Sequence, residues 1–257
     1  MGTALVTGAT SGLGLEIAWQ LAAAHHDLVL VARTSQRLEA VAEDLRQVAG
    51  VAVEVLPADL ARRDDLERVA RRVGDPGHPV GLLVNNAGFG LGQTFAGGDL
   101  VREERALDTM VRAILVLSHA AAVAMARRGR GAILNVSSMT ARTAMGTYAA
   151  HKAWVLSFTE GLAAELAGTG VTATVVCPGL VHTGFHAAAG VDETVWRGPV
   201  WLDAERVAAD ALAAVRRGQV ICTPSLRYRA ASAVLRVAPR RLVRRLAGPA
   251  TSAGAHL

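Results

Sequence analysis

Two residues four apart in the stretch TYAAHKAW, Tyr148 and Lys152, have types and spacing suited to proton transfer. Lys152 is the single lysine in a Lys+Arg total of 27, and Tyr148 is one of two tyrosines. On a helix the i, i+4 spacing sets both side chains on one face. An ammonium beside a phenol favours the phenolate, lowering the tyrosine pKa from about 10 toward neutrality and making it a usable general acid or base. Lysine suits this role better than arginine, because it is compact and its own pKa can shift. The alternative is a chance pairing on an exposed helix.

A second group lies near the N-terminus. The segment TGATSGLG, residues 7 to 14, is a Gly-x-x-x-Gly-x-Gly turn between a strand and a helix. Gly8 permits a tight turn, Gly12 lets the backbone approach a pyrophosphate, and Gly14 lets helix and strand pack closely, with the helix amides and dipole meeting the phosphates. The same glycines would also serve a plain strand-to-helix turn. The next strand ends at Ala32 and Arg33, where a fold that takes NAD would place an acid; an arginine there suits a 2′-phosphate and predicts NADP(H) over NAD(H). Its alternative is a solvated helix-capping arginine. Asp59, after the third strand, either meets an adenine amino group or caps the helix beginning near Arg63.

The elements that must position these groups alternate. Short β-branched runs at 3–7, 27–32, 51–57, 80–85, 131–137, 171–177 and 219–223 are separated by segments of helical period. Strands apolar on both faces and joined by helices predict an α/β, doubly wound parallel sheet covered on both sides, with ligands at the strand ends. No repeat or linker divides the chain, so residues 1–225 form one cofactor-binding and catalytic domain and 226–257 a basic helical extension packed on it.

Five ordered motifs at strand ends, TGATSGLG, NNAG (Asn85 to Gly88), NVSS (Asn135 to Ser138), YAAHK (Tyr148 to Lys152) and CPGLVHT (Cys177 to Thr183), resemble the short-chain dehydrogenase/reductase family over residues 3 to 223. The resemblance implies a single-domain Rossmann fold with a seven-stranded sheet and hydride transfer between a nicotinamide cofactor and a carbonyl or secondary alcohol. It implies Tyr148 as catalytic acid/base, Lys152 holding the nicotinamide ribose and poising Tyr148, and Ser138 hydrogen-bonding the substrate oxygen. Around the cofactor it implies Gly8, Thr10, Ser11, Gly12, Leu13 and Gly14, then Arg33, Asp59 and Leu60, then Asn86, Ala87 and Gly88. Pro178, Gly179, Val181 and Thr183 would frame the nicotinamide, and no metal is implied. A hydroxyl pair at Ser138 and Tyr148 would meet the charge gathering on a carbonyl oxygen and supply its proton.

Two departures from the family pattern matter. Family members usually show about 13 residues between the serine and the tyrosine; here Ser138 and Tyr148 are ten apart, which shortens the connecting loop. The family places an asparagine in the helix after NNAG, where it helps bind a relay water for the lysine, and this chain has Met110 there. Either activity persists with the water held otherwise, or the chain is a catalytically weak or inactive dinucleotide binder acting as a scaffold or sensor.

Composition bounds the partners. Half of the residues are hydrophobic, 51%, and the net charge of +5 is uneven. Seven arginines and no acid lie between Leu226 and Leu246, which leaves −2 for the rest and gives no sign of nucleic-acid binding. That tail reads as a helix pair with Leu226, Ala230, Ala233, Val234 and Val237 packed inward and a solvated arginine face, or as a surface for an acidic carrier protein or a membrane. The apolar run from Ala113 is 14 residues, short of the roughly 18 to 20 a bilayer needs, so it reads as a buried helix. With no secretion signal in view, a cytoplasmic homodimer or homotetramer acting on a small molecule is expected. Cys177 and Cys222 read as packing residues, and His119, His151 and His182 receive no catalytic role. Phe185, Val195, Trp196 and Trp201 in the stretch after Thr183 favour an apolar substrate, such as a hydrophobic ketone or a 3-oxoacyl thioester.

Overall fold

Alternation within each strand decides which face of the sheet a side chain serves. In the computed structural model, which describes residues 2–183 and 200–248, the first strand β1 (Thr3–Thr7) turns Ala4 and Val6 to one core cluster and Leu5 to another. The second strand β2 (Asp27–Ala32) does the same with Leu28 and Leu30 against Val29 and Val31. A period of two with apolar residues at every position needs cover on both faces. The first core takes it from α1 (Gly12–Ala23), α2 (Ser35–Ala49) and α7 (Ala204–Arg216), through Ile17, Leu21, Leu38, Leu45, Ala211 and Leu212. The second takes it from α3 (Arg63–Gly74) and α5 (Ala113–Arg128), through Leu66, Val69, Val73, Leu117, Ala121 and Met125.

The remaining strands are β3 (Val53–Pro57), β4 (Val80–Asn85), β5 (Gly131–Val136), β6 (Val171–Val176) and β7 (Ile221–Cys222). They form one seven-stranded sheet in the order β3-β2-β1-β4-β5-β6-β7 with parallel pairing throughout. The order reverses between β1 and β4, so the crevice for a ligand opens at their carboxyl ends. The expected doubly wound sheet is what the chain forms, with strand limits moved by a residue or two.

Between β4 and β5 runs a continuous helical stretch, Leu100–Arg128, made of α4 (Leu100–Leu107), a π-helical turn (Asp108–Arg112) and α5. Its length exceeds that of the 14-residue run, and an 18-residue window of it has a mean hydropathy of 1.7, enough by length and composition alone to cross a bilayer. Its face carrying Ala113, Leu117, Ala121 and Met125 is nonetheless buried under the sheet, the usual position of a core helix. After β5 a short 3₁₀ turn (Met139–Arg142) leads into α6 (Gly146–Glu165), and after β7 come α8 (Leu226–Val237) and α9 (Arg240–Leu246).

The terminal helices correct the sequence reading. Leu226, Val234 and Val237, expected to pack inward, are 73%, 63% and 78% exposed, and Ala230 and Ala233 are exposed beside them. The side of α8 toward the body is Tyr228, Ser232 and Leu235, all half-buried. A polar bond decides the orientation: Arg142 Nε donates to Ser232 Oγ at 2.8 Å. Ala144 N also donates to Ala247 O at 3.0 Å, tying the end of α9 to the loop before α6.

Candidate active site

A buried amide ladder fixes the helices that carry the reactive groups. Asn85 Nδ2 donates to Ser118 Oγ on α5 at 3.1 Å and to Asn135 Oδ1 on β5 at 2.9 Å; Asn135 Nδ2 donates onward to Thr159 Oγ1 on α6 at 3.0 Å. Fully paired polar groups in a core specify one arrangement, because each lost partner leaves a desolvated orphan. Ser137 adds a bond from its Oγ to the backbone oxygen of Lys152 at 2.7 Å. The register of α6 against the end of β5 is thereby set.

That register brings Ser138, Tyr148 and Lys152 together. Ser138 caps the 3₁₀ turn, its Oγ accepting from Thr140 N at 3.1 Å, and its hydroxyl is also hydrogen-bonded to the Tyr148 phenol. The shortened connection therefore still closes on the tyrosine. Lys152 is buried, its Nζ donating to Val136 O at 2.9 Å and lying 5.6 Å from the Tyr148 ring centroid.

The expected lowering of the Tyr148 pKa is not what this arrangement produces. Burial pushes the phenol well above its ordinary value, and the Ser138 hydrogen bond offsets only part of that. Lys152 moves the other way, lowered by burial to about 8, with the Cys177 thiol opposing. Desolvation sets the direction of both shifts, and the ammonium donates to a backbone carbonyl of β5.

Met110 sits beside this pair. It occupies the middle of the π-helical turn, fully buried, in a cluster with Leu91, Ala106, Phe89 and Tyr148. A methyl placed on Gly88 would come 3.3 Å from Met110 Sδ and 3.7 Å from Lys152 Nζ, so thioether and ammonium share one small space. His151 is buried on α6, and its pKa is lowered by burial, with Glu103 opposing. Cys177 and Cys222 are buried free thiols that burial raises to about 11, consistent with packing roles.

The glycine turn is equally specific. Gly8 and Gly12 adopt left-handed φ of 68° and 55°. A Cβ at Gly14 would fall 2.3 Å from Asn86 Nδ2 and 2.4 Å from Gly8 O, which is the close packing expected of the third glycine. Asn86 Nδ2 donates to Thr7 O at 3.0 Å and Gly8 O at 3.3 Å, and Thr7 Oγ1 accepts from Asn86 N and Ala87 N. The strand end at NNAG thus braces the turn. A Cβ at Gly12 would meet Thr183 Cβ at 3.2 Å, so Thr183 closes over the turn from the far side of the crevice.

Gly12 begins α1, and its Ser11 cap makes no side-chain hydrogen bond to the helix. The first-turn amides at Gly12, Leu13 and Gly14 precede the point where intrahelical bonding begins. With Thr10 and Ser11 alongside, this cradle fits the diphosphate of a dinucleotide.

The adenosine end is mixed. Arg33 is exposed directly beyond β2, whose Val31 O accepts from Gly8 N at 2.8 Å, and the α2 cap is Thr34 instead. Asp59 does not cap α3, whose cap residue is Arg62. Its carboxylate accepts from Ala61 N at 3.1 Å and pairs with Arg105 at 2.5 Å, while Leu60 behind it is buried.

On the nicotinamide side, Pro178 O accepts from Met139 N at 2.9 Å, which locks the segment to the serine-bearing turn. Val181 is buried and bridges Leu202. His182 stacks on Trp201 with ring centroids 4.6 Å apart. Phe185, Val195 and Trp196 lie outside the described residues.

Tyr228, which the sequence reading left without a role, is the main addition. A Cβ at Gly179 would fall within 1.9 Å of its ring, and its Oη accepts from Leu180 N at 3.2 Å and donates to Val200 O at 2.7 Å. The signal was present in the i, i+4, i+7 set Tyr228, Ser232 and Leu235, a second stripe that the more hydrophobic one concealed.

The comparisons with known proteins agree with this geometry. The short chain dehydrogenase family profile matches residues 2–194. The ketoacyl reductase HetN of Nostoc sp. is 32% identical over 182 residues, which is 70% of this chain and 63% of HetN, so the match stops short of two thirds of that relative's length. A short-chain dehydrogenase from Sphingobium yanoikuyae, solved in complex with NADPH, is 34% identical with a TM-score of 0.84, covering 92% of this chain and 94% of that one. An alcohol dehydrogenase from Comamonas testosteroni described as specific for bulky-bulky ketones is 29% identical with a TM-score of 0.79, covering 93% and 96%.

Proposed function

This chain belongs to the short-chain dehydrogenase/reductase family, an oxidoreductase fold that binds a nicotinamide cofactor, and from that premise we propose that it is an NADPH-dependent carbonyl reductase. The observation that carries the reading is the convergence of Ser138, Tyr148 and Lys152 at the carboxyl end of the sheet, with the serine hydrogen-bonded to the phenol. The chemistry supplied by a bound nicotinamide is hydride transfer to carbon.

Tyr148 is the acid in this reading. Its raised pKa keeps the phenol protonated at neutral pH, the form that donates to a carbonyl oxygen as negative charge gathers there. Ser138 orients that oxygen. Lys152 sets a positive charge 5.6 Å from the centre of the phenol ring and would hold the ribose of the bound cofactor, its Nζ donating to Val136 O.

The cofactor residues are Gly8, Thr10, Ser11, Gly12, Leu13 and Gly14 at the diphosphate and Arg33, Asp59 and Leu60 at the adenosine. Asn86, Ala87 and Gly88 would support the cofactor, and Pro178, Gly179, Val181 and Thr183 would frame its nicotinamide. Arg33 supports NADPH over NADH, and the Sphingobium relative solved with NADPH supports it independently. A hydrophobic ketone or a 3-oxoacyl thioester is the proposed substrate class, on the ketoacyl reductase and bulky-ketone descriptions of the relatives. The stacked Trp154 and Phe158 on α6, with exposed Leu115 and Val123 on α5, support an oligomer formed through these central helices, and the proposed setting is the cytoplasm.

A second reading has its own observation. Met110 puts a thioether where a polar relay would serve Lys152, which favours a weakly active dinucleotide binder. Purified protein tested with NADPH against ketones and 3-oxoacyl thioesters separates the two. The reductase reading expects turnover that falls about 10² to 10⁴-fold in Tyr148→Phe with NADPH affinity kept. Tight NADPH binding without turnover, and turnover gained on Met110→Asn, would establish the second reading instead.

A further inference from the structure

The outer face of α8 is an exposed apolar stripe. At 100° per residue, Leu226, Ala230, Ala233, Val234 and Val237 fall within about 100° of arc, and the inward set Tyr228, Ser232 and Leu235 is centred on the opposite side. The apolar stripe therefore points directly away from the body. Arginines flank it on both sides: Arg227 on one, Arg229 and Arg236 on the other. On α9, Leu242 and Leu246 are 48% and 66% exposed among Arg240, Arg241, Arg244 and Arg245.

Charge and shape choose among the possible occupants. A second copy of the chain meeting this face about a twofold axis would bring two arginine sets together, which like-charge repulsion opposes. An acidic protein would satisfy the arginines but would need a groove for a convex ridge of small aliphatic side chains. A planar anionic bilayer satisfies both at once, because aliphatic residues enter the acyl boundary while arginine stems lie along it and their heads reach phosphates.

We propose that α8 and α9 dock this protein on anionic membrane surfaces. The helices lie along the interface without spanning it. Docking needs no cofactor and does not rest on the reductase reading, so each can fail without the other. The face is also held to the candidate site, through Tyr228 on Gly179 and Arg142 on Ser232.

The test is flotation of the full chain with vesicles, without cofactor. Binding is expected with an equal mixture of phosphatidylcholine and phosphatidylglycerol and not with phosphatidylcholine alone, and it should weaken as salt is added. Val234→Asp with Val237→Asp, at exposed positions that leave the fold intact, is expected to lower partitioning at least about tenfold. Arg241→Ser and Arg245→Ser should each lower it on the order of fivefold. The proposal is overturned if the anionic vesicles bind no protein, if binding is unchanged in the Val234/Val237 pair, or if an acyl carrier protein is bound and vesicles are not.

Discussion

At Tyr148 and Lys152 burial moves the two groups in opposite directions, the phenol upward and the ammonium down to about 8. Spacing is a local property, so Tyr-x-x-x-Lys on one helical face was legible, as was the loss of an asparagine at Met110. The sign of the tyrosine shift depends on how much water the fold removes and on where the ammonium points, and neither is written in a heptad of residues. Arg33 is the opposite case, a charge whose meaning came from its place after the second strand. Its exposed position beyond β2 leaves the guanidinium able to meet a 2′-phosphate with charge-assisted bonds worth roughly 1.5 to 3 kcal/mol. Arg33→Asp should therefore weaken NADPH binding about tenfold or more and leave NADH binding unchanged or improved. Fluorescence titration of both cofactors measures this, and an unchanged ratio of dissociation constants would remove the basis for the NADPH preference.

At the scale of elements, strands and the glycine turn were legible because both are coded by periodicity and by a residue type that cannot be replaced. Gly14 has no room for a Cβ between Asn86 and Gly8 O, and only glycine satisfies that. The orientation of α8 was not legible, because its larger apolar stripe faces solvent while a narrower stripe bearing one tyrosine faces the body. Tyr228 couples this helix to the segment after β6 at three points: Gly179, Leu180 and Val200. Tyr228→Phe keeps the ring and removes both hydrogen bonds, so a loss of about 1 to 2 kcal/mol is expected. Tyr228→Ala also removes the ring from Gly179 and should weaken NADPH binding severalfold more than the phenylalanine variant does. If the alanine variant binds NADPH as the native chain does, the extension has no part in shaping the nicotinamide side.

For the whole molecule, the buried titratable groups predict an apo-protein stability profile with a maximum near pH 9 on the alkaline side. Lys152 has a folded pKa of about 8 against 10.5 unfolded. Between those values the unfolded chain holds a proton that the folded chain has released, so stability rises with pH, by at most about 1.4 kcal/mol per unit. Cys177 and Cys222 act in the reverse sense, with folded values of about 11 against 9.0 unfolded. Their contribution is complete below pH 9 and is lost as pH climbs through 11, and the raised Tyr148 adds to that loss above its unfolded value of 10.0. Thermal midpoints without cofactor should therefore climb from pH 8 to 9 and then decline. Lys152→Met removes a buried charge and should abolish the climb while leaving the decline, whereas Cys177→Ala should soften the decline and leave the climb. A native profile that falls steadily from pH 8 would mean that Lys152 is not held as a desolvated ammonium. The cation then sits closer to water, or to the phenolate, than its hydrogen bond to Val136 O allows.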